Sequence, residues 1–249
     1  MSTDPAPYFD AHAHIAPASA PPVPGGAALG RMLCAAAEED WPALAAACAA
    51  WPGSRCAYGI HPWYAHAAAD GWADRLHALL AAQPLAWVGE CGLDGLRASA
   101  PPLDVQQRVC AQQLRIARAL GRPVNLHCVK AWPELVALLD QWYVSDGPMP
   151  FVVHAFAGPH QYIRALADRG ACFTFGPLAA RPGARRARAR AAAIPPDRLL
   201  LETDCFLVPP ADRADELCRT AAWLADARQT QLHDLTALLC ANAQRMFHQ

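Results

Sequence analysis

Short apolar runs alternate along this chain with longer segments in which apolar residues recur at helical spacing. Residues 103–120 show the helical pattern most clearly, and they stop at Gly121, a residue type that commonly ends helices. Residues 171–175, by contrast, form a short and almost continuously apolar run, as expected for a strand buried on both faces. Eight strands are predicted in this way, at residues 8–13, 31–36, 55–60, 85–89, 123–126, 150–153, 171–175 and 199–203.

The segments between these strands complete a repeated strand–helix order. Helices are predicted at residues 39–50, 70–82, 103–120, 132–142, 161–169, 183–193, 213–228 and 232–247. The first connection, residues 16–30, is rich in proline, glycine and alanine and lacks a helical period, so we expect a loop there. The order favours an α/β fold, namely one (β/α)8 TIM barrel over residues 1–249. In this barrel the first crossover helix is short or absent, and an extra helix follows at the C-terminus.

Polar residues that can bind metal ions stand at the ends of the predicted strands. In Asp10-Ala-His12-Ala-His14 the polar side chains alternate, so they share one face of the first strand. Such a face needs partners, and a metal ion bound by neutral imidazole is one of them. Further candidates follow later strands, namely Glu90, His127, His154 and Asp204. In a parallel barrel the C-terminal ends of the strands meet at one face, where active sites lie.

These candidate ligands are too many for one tetrahedral ion. Two divalent ions about 3.5–4 Å apart and bridged by a carboxylate fit them better. Such a pair lowers the pKa of a bound water toward neutrality, and a nearby aspartate can accept its proton. Ligands of mixed imidazole and carboxylate type suit zinc, manganese or magnesium.

Composition and charge narrow the classes of function. Lysine plus arginine total 21 and aspartate plus glutamate 22, so bulk charge does not attract nucleic acid. One basic run remains, and it is either a solvated helix face or a phosphate contact. It comprises Arg181, Arg185, Arg186, Arg188 and Arg190.

Cysteines and hydropathy indicate the compartment. The ten cysteines include no C-X-X-C pair, and we expect reduced residues rather than a disulfide framework. Three of them, Cys91, Cys128 and Cys205, each follow a candidate ligand and are interpreted as packing residues. No apolar run is long enough to cross a bilayer, and the first residues lack signal-peptide features. A cytoplasmic protein with no membrane partner is expected.

In their order and spacing, these motifs resemble the TatD family of metal-dependent hydrolases, within the amidohydrolase-like barrels. The resemblance spans nearly the whole chain. It rests on DAHAH at 10–14, GIHP at 59–62, GECGLD at 89–94, NLH at 125–127, VHAFAG at 153–158 and LETD at 201–204. The ligand set that it implies is His12, His14 and Asp204 for one ion, His127 and His154 for the other, and Glu90 as the bridge.

The resemblance also implies how substrate is handled. Asp204 would act as general base, and with Glu90 it forms the predicted catalytic pair. His61 would help to position substrate, and Glu202 would lie close to the metals. Trp63 follows the third strand and either stacks on a base or packs a loop. His61, Glu202 and Trp63 are therefore the predicted substrate-binding residues.

The substrate itself is less specified than the metals. Typical TatD proteins are deoxyribonucleases, and some remove D-amino acids from mischarged tRNA. The leading hypothesis is a two-metal phosphodiesterase acting on DNA ends, with DNA or another phosphodiester bound weakly. The alternatives are a hydrolase of ester or amide bonds, such as an aminoacyl-tRNA deacylase, and a non-catalytic metal-containing scaffold. Departures from the family pattern near the expected substrate are Gly95, Val129, Ala155, Ala157, Cys205 and Phe206.

Overall fold

The computed structural model describes residues 8–15, 30–204 and 213–247, which form a closed barrel of parallel strands. Neighbouring strands follow one another in chain order, and the first pairs with the eighth. The (β/α)8 prediction is therefore confirmed. The strands are β1 Phe9–Ala13, β2 Gly30–Cys34, β3 Ser54–Tyr58, β4 Trp87–Asp94, β5 Val124–Val129, β6 Phe151–Val153, β7 Ala171–Phe175 and β8 Leu199–Leu201.

The helices surround this barrel. They are α1 Trp41–Ala50, α2 Trp72–Ala82, α3 Leu103–Leu120, α4 Trp132–Asp146, α5 Tyr162–Asp168, α6 Arg185–Ala193, α7 Arg213–Arg228 and α8 Leu232–Phe247. The extra C-terminal helix is thus present, and its Phe247 stacks on Phe9 and Trp87 at ring-centroid distances of 4.2 and 4.9 Å. The predicted first loop lies outside the described residues except for Gly30, which begins β2. No helix in the described ranges is long and apolar enough to cross a membrane.

Strand β4 is longer than the predicted run, which ended at Gly89. Val88 pairs with Val124 and Cys91 pairs with Leu126, so β4 has one residue more than β5 between these pairs. This bulge surrounds Glu90, and the strand then continues in register to Asp94. The glycine at position 92 is required, because a β-carbon there would lie 2.0 Å from the His127 carbonyl oxygen.

The inside of the barrel has an apolar layer beneath a polar layer. Along β7, and along β6 and β8 together with the residue that follows each, an apolar residue precedes a polar residue by two positions, so both face inward. The pairs are Val152 and His154, Cys172 and Thr174, and Leu200 and Glu202. The apolar members belong to one buried cluster, and the polar members lie nearer the C-terminal ends of the strands.

Within the described residues, the cysteines interpreted as packing residues follow the expectation, and one other pair does not. Cys91 and Cys128 are buried in the larger apolar cluster, whereas Cys205 lies outside the described residues. Cys48 and Cys56, however, form a disulfide between α1 and β3, which differs from the expected reduced state. Packing of α1 against β3 brings their α-carbons within 6.4 Å, a separation that a disulfide spans and that sequence spacing does not reveal.

Candidate metal centre and catalytic cavity

A cavity of about 400 Å³ lies at the C-terminal ends of the strands. A larger cavity of about 540 Å³ lies at the opposite end of the barrel, between the beginnings of the strands. Only the smaller cavity brings the candidate metal ligands together, and it is therefore the candidate active site. Its walls are His14, Ala36, His61, Trp63, Tyr64, Glu90, His127, His154 and Asp204.

Glu90 lies at the centre of this site, with histidines on both sides of its carboxylate. On one side, Glu90 Oε1 lies 2.9 Å from His127 Nδ1 and 2.8 Å from His154 Nε2. On the other side, Oε2 lies 3.2 Å from His14 Nε2 and 3.5 Å from His12 Nε2. Each carboxylate oxygen thus faces a different pair of the predicted ligands, which is the arrangement that a bridging ligand between two ions requires, and Oε1 is also approached by His61.

The imidazoles of each pair also face one another through ring nitrogens. The distance is 3.1 Å between His12 Nε2 and His14 Nε2, and 2.9 Å between His127 Nδ1 and His154 Nε2. Two nitrogen lone pairs at such separations repel each other unless a proton or a cation lies between them. The donor set therefore fits divalent ions that accept borderline nitrogen and oxygen ligands.

The outward-facing ring nitrogens of three of these histidines have hydrogen-bond acceptors. A histidine that donates its outer N–H keeps its inner nitrogen free as a ligand. The acceptors are Asn125 Oδ1 for His12 at 2.9 Å, the Cys34 carbonyl for His14 at 2.9 Å, and Asp94 Oδ2 for His127 at 3.3 Å. The fourth histidine, His154, has its Nδ1 atom 3.8 Å from Glu202, beyond hydrogen-bond distance.

His61 differs from these four histidines. Its Nδ1 accepts the backbone N–H of Trp63 at 3.1 Å, so in the neutral ring Nε2 carries the proton. Nε2 lies 3.3 Å from Glu90 Oε1, to which it donates. Although His61, Glu90 and His127 form one of the two compact groups of potential ligands, this tautomer gives His61 a donor role. His61 also lines the cavity, and its role in positioning substrate stays a prediction.

Burial and mutual charge shift the pKa values of the cluster. Burial raises the pKa of Glu90, but the surrounding histidines outweigh burial and hold it well below its usual range. Burial lowers the pKa of His127, yet hydrogen bonds to Asp94 and Glu90 raise it overall to about 9. Burial, followed by the charge of His154, holds the pKa of His12 well below its usual value. The Glu90 carboxylate therefore stays ionised, as a ligand of cations must be.

Hydrogen bonds between β1 and the segment after β8 fix the positions of Asp204 and Asp10. Asp204 lines the cavity, and its backbone N–H donates to the His12 carbonyl at 3.0 Å. Asp10, expected to share a face with His12, instead accepts two hydrogen bonds from Thr203, at 2.9 Å from N–H and 2.6 Å from the hydroxyl. Asp10 therefore fixes the segment that carries Asp204 rather than contributing to the metal cluster.

Glu202, predicted to lie close to the metals and to bind substrate, is buried behind the cavity wall, and its contact with substrate stays a prediction. Glu202 does not line the cavity, and its oxygens accept hydrogen bonds from the Ala155 N–H at 2.9 Å and the Thr174 hydroxyl at 2.5 Å. Burial, followed by the charge of Asp204, raises its pKa well above the usual range. Glu202 directly follows β8 and lies behind His154, without a hydrogen bond to it.

Two residues that orient ligands had no role assigned from the sequence, although both stand in the motifs. Asn125 is two positions before His127 on β5, and that alternation is a signal for a shared inward face. The side chain of Asp94 also faces the inside of the barrel, but only because β4 continues past its bulge to this residue. The bulge depends on pairing with β5, which a local pattern does not contain.

A closed α/β barrel with imidazoles and carboxylates around one cavity at its C-terminal end defines a metal-dependent hydrolase. Comparisons agree with this class. The family model described as TatD related DNase matches residues 9–248. A protein from Cronobacter turicensis named 3′-5′ ssDNA/RNA exonuclease TatD is 37% identical over 200 residues, covering 76% of this chain and 75% of that protein.

Solved structures give the same result. A TatD homologue from Escherichia coli aligns with a TM-score of 0.79 and 25% identity, covering 89% of this chain and 87% of that one. A TatD family hydrolase from Entamoeba histolytica aligns with a TM-score of 0.80 over 98% of each chain, and its 14% identity shows the fold alone. The chain belongs to the TatD family, and it is a metal-dependent hydrolase of the nuclease type.

Proposed function

We propose that this chain hydrolyses phosphodiester bonds at the ends of single-stranded DNA with two divalent ions. The observation that carries the proposal is the Glu90 carboxylate, each oxygen of which faces its own pair of imidazoles. Relatives named 3′-5′ ssDNA/RNA exonuclease support attack at the 3′ end, and they extend the proposal to RNA. Five buried cysteines keep free thiols and support a cytoplasmic location, namely Cys34, Cys91, Cys110, Cys128 and Cys172.

The proposed ions are zinc, manganese or magnesium. His12, His14 and Asp204 would hold one ion, His127 and His154 would hold the other, and the Glu90 carboxylate would be shared by both. When bound, the two ions supply Lewis-acid activation of water and charge stabilisation for the phosphoryl group.

The remaining chemistry belongs to the protein's own groups. Asp204, at the cavity wall, accepts the proton of the attacking water as general base. His61 Nε2–H donates to Glu90 in this structure, and with substrate bound it would donate to a phosphoryl oxygen instead. Both residues have their backbones held by hydrogen bonds, from Asp204 to His12 and from His61 to Ala36. Base and donor are therefore placed before substrate binds.

The basic run offers fewer cations for binding the phosphates of DNA than its sequence suggests. Arg188 pairs with Asp226 at 2.7 Å, and Arg190 donates to the Gly158 carbonyl at 2.7 Å. The other three, Arg181, Arg185 and Arg186, are exposed near the beginning of α6, which follows the C-terminal end of β7. With so few cations available for phosphates, we expect weak and mildly salt-dependent binding of DNA.

The test is a time course with metal-loaded protein and single-stranded DNA labelled at either end. We expect stepwise shortening from the 3′ end, abolished by His127→Ala and retained by His233→Ala, whose side chain is 94% exposed on α8. Absence of nucleotide release from both ends would contradict the proposal. If an aminoacyl-tRNA or another ester or amide were cleaved instead, the chain would be a hydrolase of those bonds.

A further inference from the structure

Trp63, in the cavity wall, has an arginine stacked on its indole ring. The guanidinium carbon of Arg97 lies 3.8 Å from the ring centroid of Trp63. The indole is fixed by its N–H, which donates to Asp94 Oδ2 at 2.7 Å, and by the edge-on ring of His61 at 4.6 Å. One face of Trp63 is thus occupied by a cation and is closed to a stacking base.

The loop after β4 holds Arg97 in this position. The backbone N–H of Arg97 donates to Asp94 Oδ1 at 3.1 Å, and its side-chain Nε donates to the Ser99 hydroxyl at 2.9 Å. Asp94 therefore holds both members of the stacked pair through its two oxygens. The same carboxylate accepts from His127, so the pair is fixed relative to the metal centre.

The outer end of Arg97 remains available. Among the described residues, no carboxylate lies within ion-pair distance of its guanidinium, and its two terminal NH₂ groups make no hydrogen bond. Stacking on an aromatic face uses the face of the guanidinium and leaves its in-plane N–H donors free. Two parallel N–H groups match the oxygens of a phosphate.

The position of Arg97 indicates which phosphate it meets. Trp63 lines the cavity whereas Arg97 does not, so the guanidinium lies on the outer side of the ring and is exposed. The phosphate being cleaved must lie beside Glu90 and the histidines inside the cavity. A phosphate at Arg97 is consequently a different one, further along the strand.

We propose that Arg97, supported by Trp63, binds the phosphate next to the one being cleaved. The proposal rests on the proposed phosphodiesterase function and adds a substrate requirement to it. A strand with two phosphates engages both the cavity and Arg97, whereas a dinucleoside monophosphate engages the cavity alone. Trp63 then serves as a platform for the cation instead of a stacking surface on that face.

The experiment compares kcat/KM for a thymidine dinucleoside monophosphate and a thymidine trinucleoside diphosphate. For each protein, the ratio of the two values measures the benefit of the second phosphate. In Arg97→Gln we expect this ratio to fall about tenfold, as for loss of one charge-assisted hydrogen-bonded contact. The salt dependence for the trinucleotide should become shallower by about 0.7 in logarithmic slope.

Two further variants define the contact. Arg97→Lys conserves the charge, so the salt slope should stay as in the parent. The ratio of the two kcat/KM values should fall in part, because the planar bidentate group is gone. Arg245→Gln removes the same charge from an exposed position at the opposite end of the barrel, where Arg245 lines the other cavity, and should keep both values. Melting temperatures show that the variants are folded.

The outcomes distinguish failure of the Arg97 assignment from failure of the proposed phosphodiesterase function. If the parent cleaves both substrates and Arg97→Gln keeps the parental ratio and slope, the Arg97 assignment is wrong and the phosphodiesterase proposal stands. If the parent cleaves neither substrate, the phosphodiesterase proposal is wrong, and the Arg97 assignment is wrong with it. An unchanged ratio in a folded Arg97→Lys would also overturn the stacked, bidentate contact.

Discussion

Asp94 Oδ2 accepts a hydrogen bond from His127 Nε2 across 3.3 Å, which leaves His127 Nδ1 directed at Glu90. The same carboxylate oxygen accepts the indole N–H of Trp63 at 2.7 Å. Burial raises the pKa of Asp94, but the hydrogen bonds from His127, Trp63 and two backbone N–H groups outweigh it and lower its pKa well below the usual range. An ionised Asp94 thereby orients the ring of His127, a predicted metal ligand, and fixes Trp63 in the cavity wall.

The first prediction concerns this carboxylate. Asp94→Asn removes the charge that holds the His127 proton, and we expect metal affinity to fall about 10–100-fold. Competition with a metal-binding dye measures this affinity. Asp104→Asn, on an exposed residue at the beginning of α3, is the matched control and should bind metal like the parent. Equal affinities in the two variants would show that Asp94 does not support the ligand.

The second prediction concerns the general base. Asp204→Asn keeps an oxygen ligand but removes the basic carboxylate, so kcat should fall by about 10²–10⁴-fold while the fold survives. The measurement is steady-state cleavage of single-stranded DNA, with circular dichroism to verify folding. Asp197→Asn, exposed just before β8, is the control at the other end of the barrel. Unchanged turnover in Asp204→Asn would exclude this residue as the base.

The third prediction is the pH dependence of metal binding. Burial lowers the pKa of His127, but hydrogen bonds to Asp94 and Glu90 raise it to about 9 in the metal-free protein. The pKa of His14 is also raised, since its interactions with Glu90 outweigh burial. A metal ion must displace such protons, at about 1.36 kcal/mol for each pH unit below the pKa.

The direction of this pH dependence follows from the raised pKa of His127. The stability that protonated His127 gives the metal-free protein is complete below the unfolded value of about 6.5 and is lost as the pH rises toward about 9. Metal binding strengthens over the same interval, so the gain in Tm on adding zinc should grow from about pH 6.5 to about pH 8.5. Zinc affinity should rise by about tenfold per pH unit for each proton displaced. A gain in Tm that does not change with pH would contradict the assignment of His127.

Much of the fold was predictable because local patterns determine it. The strand β7 and the helices α3, α7 and α8 have the predicted bounds, since their apolar spacing is continuous and α3 ends at a glycine. The end of β4 was not predictable. Its continuation past Glu90 depends on a bulge that only pairing with β5 creates.

The candidate site was likewise predictable only in part. The predicted ligands of the two ions surround one cavity or adjoin it, because strand ends in a barrel converge whatever the helices between them contain. The hydrogen-bond partners of those residues, such as Asp94 for His127, were not predicted. Their positions depend on which neighbour each side chain meets across the barrel, and strand periodicity gives only the face on which it lies.

The metal content of the parent and of Glu90→Ala tests the central claim most directly. Both proteins are loaded with excess zinc or manganese and desalted. The number of ions per chain is then measured by inductively coupled plasma mass spectrometry. Because each Glu90 oxygen faces its own imidazole pair, we predict close to two ions per chain in the parent and loss of most of the second in Glu90→Ala. A single tightly held ion in both proteins would contradict the bridged two-metal site.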